Sequence, residues 1–143
     1  MTARSLISAE TRLKVSSVLN RDITNYGKQH LTDDSVETCW NSEQGLPQHI
    51  LLDFGRSVEI ESIWMTFQGG FVGKKCVLAA SEAESPNNYN VDLGTVYPED
   101  VNQPQSFNVQ CPKSVQRLKL IFEESTDFFG RITMYKLDIL GRD

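Results

Sequence analysis

Two stretches near the end of the chain, "VQRLKLIFEE" at 115–124 and "RITMYKLDILG" at 131–141, alternate apolar and polar residues and are separated only by "STDFFG". In the first, Leu118, Leu120 and Phe122 share one face against Lys119 and Glu123, and only Ile121 breaks the pattern. In the second, Tyr135, Leu137 and Ile139 oppose Lys136 and Asp138. A period of two is the mark of a strand with one face on a core and the other in water. Further runs of strand length, "QHILLDFG", "EIESIWMTFQGG", "KKCVLAAS" and "SFNVQCP", are separated by turn chemistry in "QGG", "SPNN", "PEDVNQP" and "CPK". The spacing predicts an all-β sandwich of the jelly-roll kind, with about eight main strands. One helical turn is expected after Thr32 in "TDDSVETCW", where Thr, Asp or Ser offers a cap. The expected core comprises Trp40, Trp64, Phe67, Leu118, Leu120, Phe122, Tyr135, Leu137 and Ile139.

Composition narrows the function. The 143 residues suit one domain, taken as 1–143, and 39% hydrophobic with 23% charged residues is the mixture of a folded globule. Arg4, Glu10, Arg12 and Lys14 interrupt the N-terminal stretch, so it reads neither as a secretory signal nor as a membrane span, and the chain is expected to be intracellular. Cys39, Cys76 and Cys111 are widely spaced without a CxxC pair, and His30 and His49 show no ligand spacing with them, which speaks against a disulfide framework and against zinc. The net charge is −5 and the longest basic run is Lys74–Lys75, so direct nucleic-acid binding is disfavoured, because phosphate contacts need concentrated positive charge. Acids cluster in "DDSVE" at 33–37 and "EESTD" at 123–127, which read either as solvated loop ends or as a surface that attracts a basic partner.

Catalysis finds no support in the residues. No serine sits in a G-x-S-x-G elbow, no motif selects a carboxylate pair, and "FQGGFVGKK" lacks the G-K-[ST] ending of a phosphate loop. The expected activity is binding rather than chemistry.

"DDSVETCWNS" resembles the D-x-x-x-x-T-x-W-x-S segment of discoidin and coagulation-factor type C domains, with Asp33, Thr38, Trp40 and Ser42 at the matching places. "DFFGRITMYKLDILG" is similar to their closing strand, so the resemblance covers nearly the whole chain and implies the galactose-binding-like jelly roll. Within that superfamily "VSSVLNRD", "FQGGF", "YPEDVN" and "TDFFGRI" resemble small intracellular proteins associated with an orphan nuclear receptor. That likeness implies a non-enzymatic repressor in the nucleus, and also in the cytoplasm, which suppresses the receptor's DNA binding. The partner is then a nuclear receptor, with no direct nucleic acid and no membrane. The alternative is a lectin-like binder of a glycan or small ligand.

The resemblance also brings a structural Ca²⁺, held in relatives by the Asp and Thr of this segment and an acid of the last strand. Asp33 and Thr38 are present, but Lys136 stands at the position aligned with that acid and Asp138 is the nearest substitute. A lysine ammonium there would replace the ion, and no cofactor is expected. The expected partner surface combines Phe71, Phe128, Phe129 and Arg131 with the acids Asp33, Asp34, Glu37, Glu123, Glu124 and Asp127. Neighbouring residues of an extended chain point to opposite faces, so one phenylalanine is expected to plug the sandwich end, with Gly130 supplying a bend and Arg131 pairing with Asp127.

Overall fold

The structure is a computed structural model that describes residues 3–143. The chain runs β1 (Arg4–Ser5), β2 (Arg12–Val15), three short helical turns at Leu19–Arg21, α1 (Ile23–Tyr26) and Lys28–Leu31, then β3 (Trp40–Asn41) and β4 (Gln48–Phe67). It continues as β5 (Lys75–Ser81), β6 (Val91–Val96), β7 (Gln105–Asn108), β8 (Val115–Glu124) and β9 (Thr133–Arg142). The strands pair antiparallel in two layers, and the fold is the expected jelly-roll sandwich. Sheet I contains β2, the first half of β4, β8, β5 and β6. In sheet II, β9 lies between the second half of β4 and the short strands β1 and β3, and β7 closes the far edge.

β4 is where the sequence expectation needs correcting. "QHILLDFG" and "EIESIWMTF" form one strand that passes through both sheets, and its register with β8 shifts between Asp53 and Val58. Gly55 turns the chain there with φ +76°, a value that side chains other than glycine rarely adopt. A second irregularity, between Ile60 and Ser62, inserts an extra residue opposite β9. Such a bulge shifts the parity of the strand. Ile60 and Ile63 therefore both point inward, Met65 and Phe67 follow them, and Trp64 turns to solvent with 39% exposure, against its expected place in the core.

Of the other expected core residues, all but Tyr135 are buried. Trp40, Phe67, Leu118, Leu120, Phe122, Leu137 and Ile139 are buried, joined by Leu6, Leu31, Ile50, Leu52, Phe54 and Met134, while Tyr135 is only half-buried. Trp40 earns its place through both halves of its side chain, since the ring is buried and its Nε1–H donates to the Ser17 carbonyl at 2.9 Å. No helical turn follows Thr32. Asp33 instead accepts the Ser35 amide at 3.0 Å and the Thr38 hydroxyl at 2.6 Å, the local bonding by which Asp, Ser and Thr compete with helix, and the helical turns come earlier, with Asp22 capping α1.

Candidate functional site

Because β4, β8 and β9 each reach the same end of the sandwich, the loops 42–47, 68–74, 97–104 and 125–132 gather there. Backbone bonds join them into one surface. Thr126 N–H donates to the Val72 carbonyl, Thr133 N–H to the Phe71 carbonyl and Gly45 N–H to the Phe129 carbonyl, at 2.9, 3.0 and 2.7 Å. From the 97–104 loop, Asp100 and Asn102 accept the amides of Gly70 and Gly69, each at 2.7 Å. Beneath them lies the buried Gln48, which accepts from the Ser17 hydroxyl at 2.7 Å and donates to the Gly45 carbonyl at 2.8 Å. Buried amides of this kind specify one arrangement of the loops, because an unpaired partner would carry the desolvation cost.

The turn between β8 and β9 is built around Asp127. Its Oδ2 accepts the Arg131 amide at 3.0 Å and the Arg131 Nε–H at 2.9 Å, and its Oδ1 accepts Nη2 at 3.2 Å. The hydrogen bonds from the guanidinium hold the Asp127 carboxyl below the usual range. Gly130 is left-handed at φ +80°, and a Cβ there would lie 3.0 Å from Leu46 Cγ and 3.2 Å from the Gly45 backbone. The expected Asp127–Arg131 pair is therefore present. The Arg131 guanidinium also sits over two rings, 5.3 Å from the Phe71 centroid and 5.6 Å from that of Phe129.

Both phenylalanines are exposed, Phe128 by 94% and Phe129 by 55%, with their rings edge to face at 5.3 Å. The expectation that one of them plugs the sandwich end is thus incorrect. The close seat of Gly130 against Gly45 and Leu46 brings another loop in beneath the turn, and Phe129 is held outward over Arg131. Leu46, also exposed and omitted by sequence reasoning, extends the apolar surface; it carried no signal, since only the fold brings residue 46 beside residue 130.

The acidic residues divide into two groups. Glu123 and Glu124 lie on the strand leading into the aromatic turn, 3.2 Å from Lys75 and 3.9 Å from Lys74. Asp33 and Asp34 sit on the flank of β9. Asp33 Oδ2 is bonded by Thr38 and by His30 Nδ1 at 3.0 Å, and Asp34 Oδ1 is 2.7 Å from Lys136 Nζ. Glu37 follows in the same exposed loop, its amide bonded to Ser35 Oγ at 3.2 Å.

Burial works against ionisation of Asp33, but the bonds from Thr38, His30 and Ser35 outweigh it and lower its carboxyl. His30 is raised, by its bond to Asp33 and then by that from Nε2 to the Thr24 carbonyl. These residues do not fit a calcium site. Ca²⁺ takes six to eight oxygens, whereas the Asp33 oxygens are bonded to protein donors, Asp34 faces an ammonium, and Asp138 accepts from Ser5 Oγ at 2.6 Å. Among the described residues no cluster of three His, Cys, Asp or Glu side chains is placed to hold a metal, and no helix is long and apolar enough to cross a membrane. Cys39, Cys76 and Cys111 are free thiols, and burial pushes that of Cys76 far up.

Residues 2–113 match the family described as anaphase-promoting complex, subunit 10 (APC10). The nuclear receptor 2C2-associated protein of Danio rerio is 48% identical over 97% of this chain and 96% of its own length. Its Homo sapiens counterpart is 43% identical over 96% of each. The chain belongs to the APC10 family and to that of the nuclear receptor 2C2-associated proteins. Solved structures share the fold at low identity. An F5/8 type C domain from Bacteroides fragilis superposes with a TM-score of 0.82 at 13% identity, covering 99% of this chain and 97% of that one. A family 32 CBM from C. perfringens in complex with galactose gives 0.75 at 17%, covering 97% and 98%. The jelly-roll fold implied by the resemblance at "DDSVETCWNS" is the one that these solved structures share with this chain.

Proposed function

We propose that this protein is a non-enzymatic module that captures a nuclear receptor through the aromatic turn at 125–131 and keeps the receptor from DNA, acting in the nucleus and cytoplasm without a metal. The observation that carries the reading is the pair Phe128 and Phe129, exposed on a turn that Asp127, Arg131 and Gly130 hold in one shape. Rings presented on a rigid support lose little entropy when covered, and buried aromatics dominate the affinity of protein interfaces. The similarity to proteins named for association with nuclear receptor 2C2 supplies the partner class. A nuclear-receptor DNA-binding module is a basic surface, since it must engage phosphate. Glu43, Glu99, Asp100, Glu123, Glu124 and Asp127 outnumber Lys74, Lys75 and Arg131 around the loops, so this end is acidic and complementary to it.

The test is competition between this protein and a response-element duplex for an isolated receptor DNA-binding domain. Phe128→Ala is expected to speed dissociation, by tenfold or more on the order of a lost hot spot. Glu123→Lys with Glu124→Lys is expected mainly to slow association and flatten its salt dependence. A receptor domain that the wild type binds, and that both variants bind equally well, would remove the turn from the interface.

A second reading rests on Trp64. Its exposed ring, with Lys136, Asp138 and Thr66, lines a hollow of about 290 Å³ on sheet II, an aromatic platform beside polar groups of the kind a sugar needs. A glycan array in which Trp64→Ala abolishes a wild-type signal would favour it over the receptor.

A further inference from the structure

The part of sheet I's outer face formed by β2, β4 and β8 concentrates positive charge in a chain whose net charge is −5, while the acids Asp92 and Glu123 lie farther out on the same face. The pairing registers fix where it lies. Arg12 is opposite Asp53 and Asp53 is opposite Arg117, which forms one row across β2, β4 and β8; Lys14, Leu51 and Lys119 form another row two residues along. All six side chains point away from the core, because Ile50, Leu52, Leu118 and Leu120, which alternate with the β4 and β8 members, are buried. Strands lie about 4.8 Å apart and residues two apart rise about 7 Å, so the cations occupy the corners of a rectangle of about 10 by 7 Å. Its interior holds one carboxylate, Asp53, 3.5 Å from Arg117 Nε, and one apolar side chain, Leu51.

The 82–90 segment forms the wall of this patch. Tyr89 lies under Lys119, with the ammonium 5.7 Å from the ring centroid, and Pro86 and Asn87 follow along a groove of about 310 Å³ lined also by Arg12, Lys14 and Arg117. Arg117 Nη1 donates to the Glu82 carbonyl at 3.1 Å, which ties the wall to the sheet. His49, one row beyond Leu51 on the same face, is held below its ordinary pKa by burial and then by the Lys119 charge. Positive charge on this face is thus partly desolvated and only partly neutralised.

We infer that this groove is a second binding site, for an extended acidic peptide whose carboxylates fall at alternate positions. An extended peptide laid along the strands repeats its same-face side chains at about the 7 Å spacing that separates Arg12 from Lys14 and Arg117 from Lys119. Alternate carboxylates therefore meet successive rows, with their methylenes against Leu51 and the wall at Pro86 and Tyr89, while the residues between them point away from the sheet. An anion with a single charge centre would satisfy one row only. The site is separate from the aromatic turn, and its occupancy does not depend on the receptor reading.

The experiment uses the full chain and a fluorescent peptide of alternating Glu and Val, with a control of equal composition in which the Glu residues are consecutive and terminal. The alternating peptide is expected to bind several-fold more tightly than the control and to weaken steeply as salt rises. Arg12→Glu with Lys14→Glu is expected to weaken it by about tenfold or more, whereas Arg21→Glu with Lys74→Glu, the same change of net charge away from the groove, leaves it within about twofold. Arg12→Gln alone gives an intermediate loss, and serves if the double variant melts early. Equal affinity for the two peptides, equal loss in the two charge-reversed variants, or displacement of the peptide by a short single-stranded oligonucleotide at lower concentration than by unlabelled peptide would overturn the proposal. Self-association of the wild type that the Arg12/Lys14 variant abolishes, without peptide binding, would overturn it in favour of a second copy.

Discussion

Asp33 and Asp127 each hold a loop by turning a carboxylate back on the chain, yet the loop around Asp127 ends in two exposed rings while that around Asp33 is closed by hydrogen bonds and ion pairs without an aromatic. At Asp127 one arginine supplies three hydrogen bonds and then stacks over Phe71 and Phe129, so hydrogen bonding and apolar surface are fixed together. At Asp33 the donors are Thr38, Ser35 and His30, and the neighbouring Asp34 meets Lys136 across from β9. The lesson is that acidic residues which look alike in a sequence have different uses. A carboxylate already committed to its own loop shapes a surface, whereas one compensated only by a mobile lysine remains available to steer a partner.

Breaking the Asp127 turn should give the largest effect. Asp127→Ala removes three hydrogen bonds at a half-buried site and should lower stability by about 1 to 3 kcal/mol, measured by denaturant unfolding, and receptor capture should fall with it. Because the Asp127 carboxyl is depressed by Arg131, its stabilisation is fully present above the ordinary carboxyl range and is lost as pH falls through the folded value. The variant should therefore lose less of its stability on acidification than the wild type does. If Asp127→Ala melts with the wild type, the turn is not held by this pair.

The Asp33 loop should respond less and in another way. Millimolar Ca²⁺ should leave the wild-type melting temperature within about a degree of that in chelator, since the ammonium of Lys136 occupies the flank of Asp34. Lys136→Glu should cost about 0.5 to 1 kcal/mol through the lost exposed pair and repulsion, and part of that loss should return with calcium. A wild type that calcium stabilises by several degrees would show that the two loops are less different than their bonding implies.

The smallest effect sharpens the comparison through pH. His30 has a raised value because of Asp33, so its contribution is complete below the unfolded imidazole value and declines as pH rises through the folded one. His49 has a lowered value, so its contribution is present above the unfolded value and declines as pH falls. The two oppose each other in one window. His30→Gln should remove the decline above the ordinary imidazole value, and His49→Gln the decline below it, each by a fraction of a kcal/mol, in melts on both sides of that value. Identical profiles for the two variants would show that neither environment reaches the stability of the fold.

What the sequence determined by itself is the set of strands and the chemistry of single turns. Alternation in "VQRLKLIFEE" and "RITMYKLDILG" marks β8 and β9 because a strand's side chains alternate whatever surrounds it, and the Asp127–Arg131 pair is legible because four residues across a turn cannot lie far apart. What only the tertiary structure decided is everything that depends on register between distant segments. A single bulge at Ile60–Ser62 sends Trp64 to solvent; Gly130 settles against Gly45 and Leu46 and leaves both Phe128 and Phe129 outside; and Arg12 and Lys14 come into line with Arg117 and Lys119 across β4. The physical reason is that periodicity specifies which residues share a face within one strand, while the choice of face, and of neighbours on it, is made by pairing and packing between strands that the local sequence does not encode.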